Sequence, residues 1–317
     1  MRAPSVTIGI ACYNAVDTIR RALGSALAQD WPNLEVIVVD DASSDNSVKI
    51  VEAVIADEPR ARLIRHETNS GPAGARNTIL GEARGDFIAF FDDDDESLPK
   101  RITSQIRHLE AHEQQTGAKL IACYASGIRR YSNGYVKELP AIGSRGGVAP
   151  FGPAVAEHLL FYRHRPGWFY GSGTPTCALL ARRSTFIAVG GFDTRLRRVE
   201  DIDLAIRLAL AGGHFIGPKE TLFIQYATSA AYKSPEKNLE AEQFLAVKNR
   251  DYLIYIERYY YALHWPKLRY WHFRRRYGRF LLELLGLLLH HPLTVASHLL
   301  NTGPKRLLHE RKLRQTR

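Results

Sequence analysis

Residues 92 to 95 are four consecutive aspartates, and they follow directly on the apolar run Phe87-Ile88-Ala89-Phe90-Phe91. Carboxylates held this close repel and raise one another's pKa. A divalent ion bound through hard oxygen ligands relieves the repulsion and leaves positions open for phosphate oxygens. The pattern therefore points to a metal-bridged phosphate site at the carboxyl end of a strand, where ligands gather in α/β sheets. The competing account is a helix start, with Ser97 as N-cap, Leu98-Pro99 opening the segment and acids favoured in the first turn. That account covers Glu96 and Asp95 and leaves Asp92 to Asp94 unexplained.

Three further positions carry groups able to do chemistry. Asp41 follows a second apolar run, Arg76 lies on a helix entered through Gly71-Pro72 and Gly74, and Asp201 opens the segment Glu200-Asp201-Ile202-Asp203-Leu204. Each also has a plain structural reading. Asp40, Asp41 and Asp45 can be turn and cap residues, Arg76 a solvent-facing helix arginine, and Asp201 and Asp203 first-turn acids.

The elements that must position these groups are legible from periodicity. Apolar Val6 to Cys12, amphipathic Asp17 to Gln29, apolar Leu34 to Val39, polar-faced Asp45 to Asp57, Arg62 to His66, Ala73 to Ala83 and Phe87 to Phe91 alternate as strand and helix. Repeated βα units predict a Rossmann-like α/β fold, a mainly parallel sheet flanked by helices. Beyond a helix from Leu98 to about Gln115, the stretch from Ala118 to about Gly173 mixes strand patterns (Leu120 to Tyr124, Tyr135 to Leu139) with glycine and proline loops. A strand is expected at Cys177 to Ala181, a helix from Glu200 to Ala211, mixed strand from His214 to Gln225, and one long amphipathic helix from Pro235 to Tyr261.

Composition bounds the class. The chain has 317 residues, 45% hydrophobic and 24% charged, with neither internal repeat nor low-complexity tract, enough for one large domain and an appendage. Cys12, Cys123 and Cys177 are too few and too scattered for a disulfide framework or zinc site, which favours a reducing compartment. No hydrophobic signal core follows Met1-Arg2-Ala3-Pro4-Ser5, so no secretory leader is expected. The formal charge of +10 is confined to the region from Lys267 onward, where twelve Lys and Arg stand against Glu283 and Glu310. A neutral body, 1–232, and a helical, basic C-terminal region, 233–317, are the expected domains.

Taken together, Ile10-Ala11-Cys12-Tyr13-Asn14, Val39-Asp40-Asp41-Ala42-Ser43-Ser44-Asp45, Gly74-Ala75-Arg76-Asn77, Phe91 to Asp95 and Glu200-Asp201 resemble, in order and spacing over residues 5 to about 230, the family 2 glycosyltransferases of GT-A fold. The resemblance implies transfer of a sugar from a nucleotide-sugar donor, a UDP-sugar above all, with inversion at the anomeric carbon and with Mn²⁺ or Mg²⁺. It implies that Ala11 approaches the base through backbone groups, that Asp41 contacts uracil, and that Arg76 lies near the nucleotide. Asp92-Asp93-Asp94 is similar to the family's DXD signature, which gives Asp92 and Asp93 to the ribose and Asp94 to the metal. Asp201 falls at the position of the general base that takes the acceptor hydroxyl proton. Trp168, Phe169, Tyr170 and Gly171-Ser172-Gly173-Thr174 fall where the family builds its acceptor pocket, and Gly190-Gly191 would let backbone pass close to the acceptor sugar.

Two departures stand out. Gln225-Tyr226-Ala227-Thr228-Ser229 lacks the arginine and histidine often seen in the family's mobile loop. The Q-x-x-R-W signature of processive synthases is also missing, so one sugar per encounter is expected.

The tail interleaves Tyr270, Trp271, Phe273 and Tyr277 with cations, then runs apolar from Phe280 to Leu289 and basic again from Pro304 to Arg317. A spanning helix needs about 20 apolar residues, and this run is broken by Glu283, His290, His291 and Pro292. A peripheral anchor on the inner face of the cell membrane is expected, with a lipid-linked or cell-envelope glycan as acceptor and a cytoplasmic location. Packing of the leucines onto protein is the rival, and nucleic acid is not an expected partner. The rival functions are a nucleotidyltransferase, which would need a glycine-rich phosphate loop that Gly9 to Asn14 does not offer, and a non-catalytic sugar-nucleotide sensor or membrane scaffold.

Overall fold

The computed structural model describes residues 3–227 and 234–314, the side chains of 304–307, 309–311, 313 and 314 excepted. Met1, Arg2, Thr228, Ser229 and Arg317, and the side chains of Lys305, Arg306, Arg311 and Arg314, all weighed above, lie outside the described residues.

The first third of the chain alternates as its periodicity requires: β1 (Val6–Cys12), α1 (Ile19–Leu27), β2 (Leu34–Asp40), α2 (Ser47–Ile55), β3 (Ala61–Arg65), α3 (Gly71–Glu82) and β4 (Phe87–Asp92). Then follow β5 (Glu96–Ser97), α4 (Arg101–Thr116), β6 (Ile121–Tyr124), β7 (Ser126–Arg130), β8 (Val136–Leu139), α5 (Pro153–Phe161), β9 (Leu179–Arg182), α6 (Arg183–Ala188), α7 (Glu200–Leu210), β10 (His214–Ile216) and β11 (Thr221–Tyr226). The main sheet has seven strands in the order β10-β6-β9-β4-β1-β2-β3. Only β9 runs antiparallel to its neighbours. A second sheet, β5-β11-β7-β8, has four strands.

Alternation along the strands decides which face each helix covers. Val6, Ile8, Ile10 and Cys12 of β1, with Phe87, Ala89 and Phe91 of β4, share one core with Ile19 and Leu23 of α1, Val51 of α2 and Ile102, Ile106 and Leu109 of α4. Gly9 points the other way, against Ile79 of α3. Phe90 also faces that second side, edge-on to Phe186 of α6 and to Phe192. Asp92, two residues after Phe90 on the same strand face, emerges there too. The alternation thus turns the first carboxylate of the acidic run toward α3.

Several boundaries differ from the sequence reading. The acidic run does not start a helix: Glu96 and Ser97 form β5, and α4 begins at Arg101 with Lys100 as its cap residue. Instead of capping, Ser97 accepts from the buried guanidinium of Arg101, which also donates to the Phe90 carbonyl and stacks on Phe91. Cys177 lies in a 3₁₀ turn, and the strand starts only at Leu179.

A second compact unit comprises residues 132–135, 154–165 and 228–317. It contains α8 (Pro235–Lys248), α9 (Arg250–Tyr255), α10 (Tyr259–Phe273), α11 (Tyr277–His290) and α12 (Pro292–Arg314). The single helix expected over Pro235 to Tyr261 is thus three pieces, broken at Asn249 and at Glu257, whose φ of 57° is left-handed. Its core is Phe161, Ala246, Leu253, Tyr261, Ala262, Trp265, Leu268, Leu287 and Val295.

Candidate active site

The carboxyl ends of β2, β1 and β4 lie side by side, with Ala11 in register with both Val39 and Asp92. Three contacts hold the acidic turn that follows β4. The Tyr13 N–H donates to Asp93 Oδ2 at 3.0 Å. Arg21 Nη2 donates to the Asp94 carbonyl at 2.6 Å, and its guanidinium lies over the Tyr226 ring. Tyr226 in turn donates through its hydroxyl to Glu96 at 2.8 Å. These contacts fix Asp93 and the backbone at Asp94 and leave Asp92 and Asp95 to face each other.

Asp92 and Asp95 converge beneath the turn, and together with the Cys177 thiol their ligand atoms lie within 4.8 Å of one another. Asp95 is buried; its Oδ2 accepts from Gln225 Nε2 at 3.3 Å, and its Oδ1 has no hydrogen-bond partner among the described residues. Burial, then the charges of Asp92 and Asp94, push its pKa up to about 8. Burial likewise pushes Asp93 up to about 7, against the Tyr13 N–H and with the charges of Asp94 and Asp92. Two carboxylates and an orphaned buried oxygen are the donor chemistry of a hard divalent cation. Burial holds the Cys177 thiol far above its usual range, so it lines the site as a neutral group.

Arg76 crosses from this cluster to α7. Its Nη1 donates to Glu200 Oε1 at 2.5 Å and its Nη2 to Asp92 Oδ1 at 3.3 Å. Burial opposes its charge, but Asp92, Glu200 and Asp201 hold its pKa above the ordinary value. Asp201 accepts from the Ile202 N–H, and its pKa is raised to about 6, by burial first and then by Glu200, with Arg76 opposing. Arg76 therefore ties Asp92 of the acidic run to the first turn of α7.

The residue after Arg76 fastens α3 to the loop between α6 and α7. Asn77 donates to the Phe192 carbonyl and accepts from the Phe192 N–H, both at 2.8 Å. Gly191, at φ +65°, lies so near that a Cβ there would sit 2.8 Å from Asn77 Oδ1. Asn77 and the left-handed backbone together favour glycine at this position. Asp203 is buried and pairs with Arg207 at 2.9 Å, while Arg207 also donates to the carbonyls of Val189 and Gly191.

Asp41 is buried at the entrance to α3. His66 Nδ1 (2.7 Å) and the Ser70 N–H (2.8 Å) meet its Oδ1, and the Gly71 N–H meets its Oδ2 at 2.7 Å. Asp45 accepts from Ser47 and from the Val16 N–H, which makes it a turn residue tying β1 to α2. Of the aromatic trio, Tyr170 is buried, while Trp168 is half-exposed against Phe151.

Sequence reasoning missed Gln225 and Arg129, which join the second sheet to the acidic cluster: Arg129 Nε donates to Gln225 Oε1 at 2.7 Å, turning the amide NH₂ toward Asp95. It also missed Glu200 as the partner of Arg76. No local pattern marks either pair, since each joins residues about 100 positions apart or more. Arg129 and Gln225 line a cavity with Tyr124, Ser172 and Gly173, and the Tyr124 phenol is pushed up by burial and by the nearby charge of Asp201.

Residues 7–141 match the model of the family described as Glycosyl transferase family 2. EpsE of Bacillus subtilis (strain 168), a glycosyltransferase by name, is 30% identical over 237 residues, 73% of this chain and 76% of that one. The chain belongs to glycosyl transferase family 2. A second relative, the succinoglycan biosynthesis protein ExoO of Rhizobium meliloti (strain 1021), is 34% identical over 221 residues, 68% of this chain but only 59% of ExoO. S. aureus TarS 1-349, solved in complex with UDP-GlcNAc, superposes with a TM-score of 0.61 at 20% identity, over 92% of this chain and 83% of that one. This family member therefore has the GT-A fold, with Ala11, Asp41 and Asp92 at the carboxyl ends of parallel strands and Arg76 and Asp201 on helices α3 and α7.

Proposed function

We propose that this enzyme adds one sugar per encounter, from a nucleotide-sugar, to a hydroxyl of a lipid-linked or cell-envelope glycan, with a divalent metal and with inversion. The observation that carries the reading is the Arg76 bridge, one guanidinium contacting both Asp92 and Glu200 beside Asp201. A donor seated on the acidic turn then has a proton acceptor within the same cleft. The UDP-GlcNAc held by TarS favours a UDP-sugar, and the part of ExoO in succinoglycan biosynthesis favours an envelope glycan.

Each residue takes a role that its surroundings suit. Asp201, with a pKa of about 6, is ionised at neutral pH and basic enough to accept the acceptor hydroxyl proton as oxygen attacks opposite the leaving diphosphate. Asp41 has three of roughly four lone-pair sites filled, which leaves one on Oδ2 for the imide N–H of uracil. Ala11 offers backbone beside it, Asp92 and Asp93 lie toward the ribose, and Arg76 supplies positive charge near the phosphates. Mn²⁺ or Mg²⁺ would be held by Asp94, the ligand of the family register, with the convergent Asp92 and Asp95; when bound, the ion neutralises charge on the departing diphosphate. The catalytic domain is 1–232, and 233–317 serves a cytoplasmic enzyme peripheral to the inner face of the membrane.

Donor binding, donor hydrolysis and transfer, each with and without Mn²⁺, test this on the wild type, Asp94→Ala and Asp201→Asn. The expected result is loss of metal-dependent donor binding in Asp94→Ala and retained binding with poor transfer in Asp201→Asn. Unimpaired transfer by Asp201→Asn removes that residue from the mechanism, and absence of metal-dependent turnover in all three leaves a scaffold.

A further inference from the structure

Helix α11 wears its polarity inside out. Phe280, Leu284 and Leu287 pack into the core of the C-terminal unit, and the one acid of the helix, Glu283, also turns inward, to His264 Nδ1 at 2.8 Å. Tyr260, stacked on His264 and His290, completes that inner side. Outward point Leu281, Leu282, Leu285, Leu288 and Leu289, the last 82% exposed, and Leu293 at 85% extends the ridge into α12. Between Leu281 and Leu289 the exposed residues are leucine alone, and such a face is not built for water.

The rim of this ridge identifies what covers it. Residues 272–279 are all exposed, and they include Phe273, Arg274, Arg275, Arg276, Tyr277 and Arg279 without a single acid. Arg274 leans on Glu236, and Arg279 lies over the Trp271 ring at 4.6 Å. A leucine ridge flanked by aromatics and clustered guanidinium groups matches an acyl boundary beneath anionic headgroups. The 14 residues of α11 extend about 21 Å, short of a bilayer core of about 30 Å, and no helix of the described residues is long and apolar enough to cross a membrane. A second copy of the chain fits less well, because the outward face of α11 offers this rim no acidic counterpart.

We propose that the outward leucine ridge of α11, with Arg275, Arg276 and Arg279 at its rim, docks in the plane of an anionic lipid surface. The proposal deepens the membrane location inferred above and rests on it, but it is independent of the sugar chemistry. Flotation of the full chain with phosphatidylcholine vesicles, with and without phosphatidylglycerol, reads it directly. Binding to the anionic vesicles is expected to fall on the order of 100-fold in Arg275→Gln/Arg276→Gln/Arg279→Gln and to vanish in Leu282→Glu/Leu289→Glu, with unfolding temperature and donor hydrolysis unchanged. Equal binding of the wild type to neutral and anionic vesicles overturns the proposal. So does a wild type that ignores vesicles but forms a dimer split by Leu282→Glu/Leu289→Glu, which gives the ridge to a second copy. Vesicle binding without sugar transfer would leave this inference standing and remove the catalytic reading.

Discussion

Arg76 and Glu200, 124 positions apart in sequence, form a buried ion pair of 2.5 Å that fastens the start of α7 to α3 beside the acidic turn. The second fork of the same guanidinium reaches Asp92, so one cation orders carboxylates from two separate motifs. Cutting the pair at either end strands a buried charge, whereas the pair itself is only weak evidence of stability.

Arg76→Ala is therefore expected to lose about 3 to 5 kcal/mol of folding stability, as broken buried pairs do. Arg76→Lys should recover part of that stability but not donor affinity, because an ammonium cannot serve two carboxylates in a fixed fork. Denaturant unfolding and UDP binding, measured on both variants, separate the two effects. Equal donor affinity in Arg76→Lys and the wild type would show that the guanidinium geometry is irrelevant to the nucleotide.

As the proposed general base, Asp201, its pKa raised to about 6, is expected to set the acid limb of the rate profile. The base form is the competent one, so kcat/KM should be flat above pH 7 and fall about tenfold per unit as pH drops below about 6. Asp201→Asn should lose on the order of 10² to 10⁴ in transfer and lose that limb with it. An acid limb that persists unchanged in the residual activity of Asp201→Asn would assign it to another group.

How much of this was legible in the sequence follows from the range of each interaction. The strands through Phe91 declare themselves because their burial is set by period, and Ser70-Gly71-Pro72 marks the start of α3 by local backbone chemistry. The four aspartates were visible as a cluster, but their division of labour was not. Asp93 turns to Tyr13 and Asp95 to Gln225, partners brought in by the tertiary fold. Ser97 resembles an N-cap by composition, yet strand β11 pairs with it, and the helix waits for Arg101. The long helix expected over Pro235 to Tyr261 failed at Glu257, where a left-handed residue, invisible to hydrophobic periodicity, ends one piece and lets the next begin.

Gly9 tests the packing of the sheet under the site. A Cβ at this position would stand 2.3 Å from Ile79 Cγ2, closer than side chains approach, so α3 must shift or Ile79 must change rotamer. Gly9→Ala should cost about 1 to 3 kcal/mol, as overpacking does, and Ile79→Ala, which removes Cγ2, should make the pair of changes cost less than the sum of the two. A double-mutant cycle by chemical denaturation measures the coupling. Strictly additive losses would mean that the two residues do not meet.

Asp95 gives the prediction whose sign is least intuitive. Its carboxylate is buried next to Asp92, one oxygen has no partner among the described residues, and the other accepts from Gln225, which Arg129 holds in turn. Without a metal the fold must either hold Asp95 protonated, its pKa being raised to about 8, or bear two repelling charges, and an uncharged amide avoids both costs. Asp95→Asn is therefore expected to raise the unfolding temperature of the metal-free protein and to lower the further stabilisation that Mn²⁺ adds by mass action. Thermal unfolding with EDTA and with graded Mn²⁺ reads both quantities in one series. A variant less stable than the wild type in EDTA, with Mn²⁺ stabilisation intact, would make Asp95 a structural acid supported by Gln225 and leave the ion to Asp92 and Asp94.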